Sequence, residues 1–178
     1  MNNKKYETNY EVPSLGRKDL RRFAKVIRIR LGVESIYFPV VELLETLGEM
    51  GIYYDIVDRS QWNKIFGANE HAEYDLSTHI ISIREDVYEG AVKGHGRDRF
   101  TIAHEIAHAL LLDDKHIKVA KTRGKTSIPL WQNPEWQADC LAGELLVPCD
   151  LCREMSVTEI AEKCKVSLDA AIYQKSKF

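Results

Sequence analysis

Apolar positions recur along this chain with two different periods, which together predict a mixed α and β architecture. Leu15, Leu20, Phe23, Ala24, Ile27 and Leu31 keep helical spacing and mark a first helix. The opposite face of that helix is basic, with Arg17, Lys18, Arg21, Arg22, Lys25, Arg28 and Arg30. Residues 39–47 suggest a short second helix, ended near Gly48 and Gly51. Residues 52–57 are rich in β-branched and aromatic side chains and predict a strand, with further strand candidates at 64–68 and 80–83. Phe100, Ile102, Ala103, Ile106, Ala107, Leu110 and Leu111 then predict a largely buried helix over 99–112. Another helix is expected over 134–148, opening on Pro134 at a first helical position and stopping at Pro148. Residues 1–14 are polar and suggest a flexible tail.

The buried helix over 99–112 carries groups that such a helix has reason to exclude. His104, Glu105 and His108 form the pattern His-Glu-x-x-His, and three ionisable groups on an apolar segment are costly unless paired or bound to a metal. Four residues of helix rise about 6 Å, so both imidazoles can reach one ion held ~2.0–2.1 Å from each ring nitrogen. This is the zinc-peptidase arrangement, in which Glu105 lies across the open side of the metal as general base toward water. A chance occurrence of the pattern, on the order of once in a few hundred chains of this length, is the weaker explanation.

Catalytic zinc takes three protein ligands, so a third is required. Glu135 and Asp139 fall one turn apart on one face of the helix over 134–148, with the small Ala138 and Ala142 beside them permitting close approach. Glu135 is the choice for the metal, with Asp139 accepting the other N–H of a ligating His and fixing its tautomer. Spacing alone leaves open that both are solvated charges, and His116, Asp113, Asp114 and Glu144 are chemically possible substitutes.

With both blocks in view, Arg99-Phe100-Thr101-Ile102-Ala103-His104-Glu105-Ile106-Ala107-His108 followed by Glu135-x-x-Ala138-Asp139-x-x-Ala142-x-x-Leu145-Leu146-x-Pro148 resembles the ImmA/IrrE family of metallo-endopeptidases. The resemblance extends more loosely from about Arg17 to the C-terminus, where Val166-Ser167 and Ala170 are similar to the family's closing helix pair. It implies zinc held by His104, His108 and Glu135, with Glu105 as the catalytic base. It also implies a zincin-like α+β fold: a small mixed sheet packed on the His-Glu-x-x-His helix, then the ligand-bearing helix and C-terminal helices. The substrate it implies is a helix-turn-helix repressor, often encoded nearby on a mobile element, whose cleavage releases gene expression. Gln174-Lys175, where an Arg-Leu pair is expected, and the short connection over 149–156 depart from the pattern near the C-terminus.

Composition narrows the remaining choices. With 178 residues and 44% apolar content the chain suits one domain over 15–178, ending in a helical segment over 155–178. A formal charge of -2 gives no global argument for nucleic-acid or membrane binding, and the basic face near the N-terminus is expected to be a solvated surface rather than a DNA or acidic-partner site. No apolar run spans a bilayer and no signal peptide opens the chain, so a cytoplasmic protein is expected, its four Cys reduced. Cys149-x-x-Cys152 has metal or redox spacing, but Cys140 and Cys164 are poorly placed to complete a second site.

Residues 158–171 also resemble a helix-turn-helix, yet the second helix carries Asp169 and few groups for DNA before Gln174, Lys175 and Lys177, which favours packing. The strand over 80–83 is expected at a sheet edge, where an extended substrate adds by main-chain hydrogen bonds. Tyr74, His79, His95, His116 and Arg99 are candidates for stabilising the oxyanion, although Asp98-Arg99 also fits a helix-start pair. The expectation is thus an endopeptidase acting on a protein, without direct contact to nucleic acid or membrane. The alternative is a zinc-containing regulator that binds a transcription factor without cutting it. The presence of Glu105 favours the enzyme, since a purely structural zinc site has no need of a base.

Overall fold

The computed structural model describes residues 10–112, 120–121 and 128–178, and these build an α+β fold around one hydrophobic core. In chain order the elements are β1 (Tyr10–Glu11), α1 (Arg17–Arg30), α2 (Val40–Thr46), β2 (Tyr53–Val57), α3 (Arg59–Ile65), β3 (Ala72–Asp75), β4 (Ile80–Arg84), α4 (Glu85–Val92), α5 (Gly96–Leu112), β5 (Ala120–Lys121), α6 (Pro134–Leu146), α7 (Cys149–Cys152), α8 (Val157–Cys164) and α9 (Leu168–Lys175). Short 3-10 turns at Leu47–Met50 and Leu130–Gln132 extend α2 and lead into α6.

Helix α5 lies at the centre, because it is apolar on nearly every side. Ile102, Ala103, Ile106, Ala107 and Ala109 are fully buried, and the helix packs against α6, α4, α2 and strands β3 and β4. Its crossing with α6 is built from small residues: Ala103 and Ala107 on one helix, Ala138 and Ala142 on the other, all buried. Small side chains let the two backbones approach, which brings polar groups on the rim of that crossing within reach of one another. Helix α6 is started by Asn133, whose side chain accepts from the Trp136 N–H at 3.0 Å, and by Pro134 in its first turn.

The sheet has the order β2-β4-β3, with β2 parallel and β3 antiparallel to β4. The strand expected at 80–83 is present as β4, but it is the central strand, and β3 takes the edge. Ile81 and Ile83 are completely buried, which suits a strand flanked on both sides. The strand expected at 64–68 is not formed. Asp58 instead caps helix α3 by accepting from Ser60 N–H at 2.8 Å, buried Trp62 anchors it, and Gly67 ends the turn at φ 92.

Tyr10 to Ser14, expected within a flexible tail, are held in place. β1 pairs antiparallel with β5, the N–H groups of Val12 and Leu15 donate to the carbonyls of Gln132 and Trp131, and Gln137 donates to the Pro13 carbonyl at 2.8 Å. At the other end, α8 opens with a reciprocal cap between Ser156 and Glu159, and α9 with Ser167. This helix pair packs back on the rest of the chain. Gly96 lies so close to the turn between α8 and α9 that a Cβ there would meet the Val166 and Ser167 backbone at 2.6–2.7 Å. No described helix is long and apolar enough to cross a membrane.

Candidate metal centre

Helices α5 and α6 present their polar residues to one cleft of about 850 Å3, whose lining includes His104, Glu105, His108, Glu135, Tyr74 and Tyr10. His104 and His108, one turn apart on α5, bring their Nε2 atoms to 3.0 Å. From the start of α6, Glu135 places Oε2 3.4 Å from each of those nitrogens. Ligands held ~2.0–2.1 Å from a tetrahedral ion lie roughly 3.3 Å apart, so this triangle has the edges of one face of a zinc tetrahedron. Among the described residues, this is the one group of three or more His, Cys, Asp or Glu donors close enough to share an ion.

Asp139, one turn after Glu135, puts Oδ1 3.0 Å from His104 Nδ1. When that carboxylate accepts the Nδ1 proton, Nε2 is left with its lone pair toward the cleft, as metal ligation requires. Glu105 points to the other side: its Oε2 accepts the Tyr74 N–H from edge strand β3 at 2.9 Å, and the residue is 8% exposed.

The electrostatics of the cluster favour a cation at its centre. Burial opposes charging the His104 ring, but hydrogen bonds to Asp139 and Glu135 outweigh it and lift its pKa from 6.5 to about 10. Hydrogen bonds from His104 and His108 hold the Glu135 carboxyl well below the usual range, against the opposing effect of burial. Burial pushes Glu105 upward, with His104, His108 and the Tyr74 N–H pulling the other way. Three carboxylates around two imidazoles thus favour positive charge here, whether a proton on His104 or a metal ion.

The other sequence candidates separate clearly. Glu144 is not available to a metal, because Arg17 and Arg21 bind its buried carboxylate at 3.1 and 2.8 Å. His116, Asp113 and Asp114 lie outside the described residues. Of the oxyanion candidates, Tyr74 lines the cleft, and its hydroxyl is 3.1 Å from His79 Nδ1. His95 is exposed, with its Nδ1 3.4 Å from Asp98. Arg99 is fully buried away from the cleft, donating to the Lys165 and Phe38 carbonyls and to the Tyr37 hydroxyl, which also removes it as a helix-start partner. The four cysteines are buried thiols; Cys152 and Cys164 approach to 3.7 Å, and Cys149 accepts from Arg153.

Two contributors escaped the sequence reading. The Tyr74 main-chain N–H that orients Glu105 carries no side-chain signal. The wall made by Tyr10 and Val12 lay in a stretch too polar to suggest packing. Asn133 did carry a signal, an Asn directly before a Pro that opens a helix.

Over 109 residues the chain is 31% identical to the radiation response metalloprotease IrrE of Deinococcus deserti, a match covering 56% of this chain and 37% of that protein. The chain therefore spans little more than a third of the length of this relative. Residues 64–175, which hold α5, α6 and the whole metal cluster, match the IrrE N-terminal-like domain of the M78 peptidases, and the chain belongs to this metalloprotease family.

Proposed function

We propose that this chain is a zinc-dependent endopeptidase that hydrolyses a peptide bond in a specific protein, a helix-turn-helix transcriptional repressor, and so regulates gene expression in the cytoplasm. The observation that carries the reading is the convergence of His104, His108 and Glu135 beside an oriented, buried Glu105 in one cleft. Membership in a metalloprotease family and the sheet packed against α5 support a zincin-like arrangement. The repressor as substrate follows from the sequence resemblance, and the relative's name places that protein in a radiation response, which supports a regulatory rather than a digestive role.

Bound at the three donors, zinc supplies a Lewis acid that polarises the scissile carbonyl and lowers the pKa of water toward ~7. His104, His108 and Glu135 hold it, and Asp139 keeps His104 in the ligating tautomer. Glu105 takes the proton of the attacking water and passes it to the leaving nitrogen. The Tyr74 N–H keeps its carboxylate aimed into the cleft. Among the described residues β3 pairs with a strand on one side only, and its other edge borders the cleft, where the Tyr74 N–H is taken by Glu105 and the Ala72 end is left to an extended substrate.

Zinc content per chain and repressor cleavage test the reading together. Wild type is expected to hold one zinc, Glu135→Ala to lose it, and Glu105→Gln to keep it while failing to cut a helix-turn-helix repressor encoded nearby. Zinc retained in Glu135→Ala refutes the third ligand. A zinc-loaded wild type that binds its repressor as well as Glu105→Gln does, and never cuts it, makes the chain a binding-only regulator.

A further inference from the structure

The basic face of α1 is not a flat solvated surface. It forms one wall of a second groove of about 710 Å3, whose facing wall is the turn from α6 into α7. Six cations line this groove: Lys18, Arg21, Arg22, Lys25, Arg28 and Arg153. The whole chain is formally -2, so this positive charge is a local concentration, and no residue of the groove also lines the metal cleft.

Arg21 is paired with Glu144, but part of the remaining charge is uncompensated. Arg28 is 5% exposed and donates to the carbonyls of Leu145, Ser35 and Ile36, with no carboxylate paired to it among the described residues. A buried guanidinium held only by carbonyls leaves its field projecting into the nearest concavity. Lys18 has no acidic partner among the described residues, Arg153 donates to the Cys149 sulfur, and Arg22 reaches Asp19 only at 3.8 Å. The Lys25–Asp150 pair crosses the groove at 2.8 Å, but both side chains are largely exposed, and such pairs hold weakly and give way to a better acid.

The groove is also apolar. Ile29 and Leu151 are 68% and 42% exposed, and Val33 and Pro148 line it beside them. On α1, Lys18, Arg22, Lys25 and Ile29 follow one another at intervals of three or four residues, a stripe roughly 16 Å long at 1.5 Å per residue. Its complement is a helical segment of about three turns with acids along one edge and aliphatic side chains along the other. Nucleic acid fits less well: among the described residues no aromatic ring lines the groove for stacking, and Glu34, Glu144 and Asp150 would face an unbroken run of phosphates.

We propose that this groove docks an acidic amphipathic segment of a protein partner, at a site separate from the metal cleft. The proposal stands whether or not the cleft is catalytic. It is tested by fluorescence anisotropy on the full chain, using a labelled helical peptide with Glu on one face and Leu on the other, the same peptide with Lys for Glu, and a short DNA duplex.

Wild type is expected to bind only the Glu peptide. Combined Lys18→Glu, Arg22→Glu and Arg153→Glu should weaken that binding about tenfold or more. Ile29→Ser with Leu151→Ser should weaken it as well, and Arg30→Glu, on the same helix but outside the groove, should leave it unchanged. All of these side chains are exposed, so the variants should melt with wild type. Failure of wild type to bind the peptide overturns the proposal. Tighter binding of the duplex through the same cations makes the groove a nucleic-acid site instead, and indifference to Ile29 and Leu151 reduces the effect to unspecific charge attraction.

Discussion

Replacing Arg99 with Met separates a structural from a catalytic role for a residue that sequence placed at the start of the helix bearing His104 and His108. The guanidinium is completely buried and makes three hydrogen bonds: to the Tyr37 hydroxyl at 2.6 Å, the Phe38 carbonyl at 2.8 Å and the Lys165 carbonyl at 3.2 Å. Its carbon also lies 4.3 Å from the Tyr37 ring centre. These contacts join the start of α5 to the segment before α2 and to the turn between α8 and α9.

Bonds from a charged donor contribute roughly 1.5–3 kcal/mol each, but removing the group also relieves the cost of burying a cation, so the net loss is about 3–5 kcal/mol. At roughly 2–4 °C per kcal/mol for a chain of this size, Tm should fall by about 6–20 °C. Melts followed by circular dichroism at saturating zinc, with zinc content measured alongside, read this directly. A variant that melts within about 2 °C of wild type while losing zinc-dependent cleavage would refute the structural assignment and return Arg99 to the reaction.

Three further outcomes follow from the same contacts. Asp139→Asn should weaken zinc binding about 10–100-fold in a competition titration, because the partner of His104 Nδ1 loses its charge. In chelator, Tm should fall as pH rises from 6.5 toward 10 and again below 4.5. His104 has a folded-state pKa raised to about 10, so its stabilisation is complete below 6.5 and lost toward 10, whereas the depressed Glu135 stabilises above 4.5 and loses that on acidification. A flat profile over both ranges would contradict the ion-paired cluster. Gly96→Ala should cost about 1–3 kcal/mol in a urea titration, since the Cβ would meet backbone atoms of Val166 and Ser167 rather than a movable side chain.

Elements with long apolar periodicity were legible in the sequence, and those held by isolated contacts were not. Helices α1, α5 and α6 carry enough apolar residues at helical spacing to predict themselves, and each was expected within two or three residues of its ends. Strand β3 alternates Ala72 and Tyr74 with Glu73 and Asp75, so half of its four side chains are acids on the solvent side and no apolar run marks it. With β3 hidden, β4 looked like the edge. Helix α4 buries only Val87, Gly90 and Ala91 over eight residues, too little for a periodic signal. At residues 64–68 a short apolar run suggested a strand, but Ile65 is 66% exposed, and the Asp58 cap with buried Trp62 decides for helix.

In the candidate site, legibility follows how local each contact is. The imidazoles of His104 and His108 are brought together by helix geometry alone, so four residues of sequence were sufficient. Glu135 meets them across a contact between two helices, and spacing on α6 could not distinguish it from Glu144, which lies on the same buried helix and is also a carboxylate. What separates the two is distant in sequence. Arg17 and Arg21 on α1 neutralise Glu144, while among the described residues no Arg or Lys lines the cleft beside Glu135. The division of labour on α6 is therefore set by which face the basic helix covers: its C-terminal acid becomes a structural anchor, and its N-terminal acid keeps a charge that, among the described residues, is met by the two His.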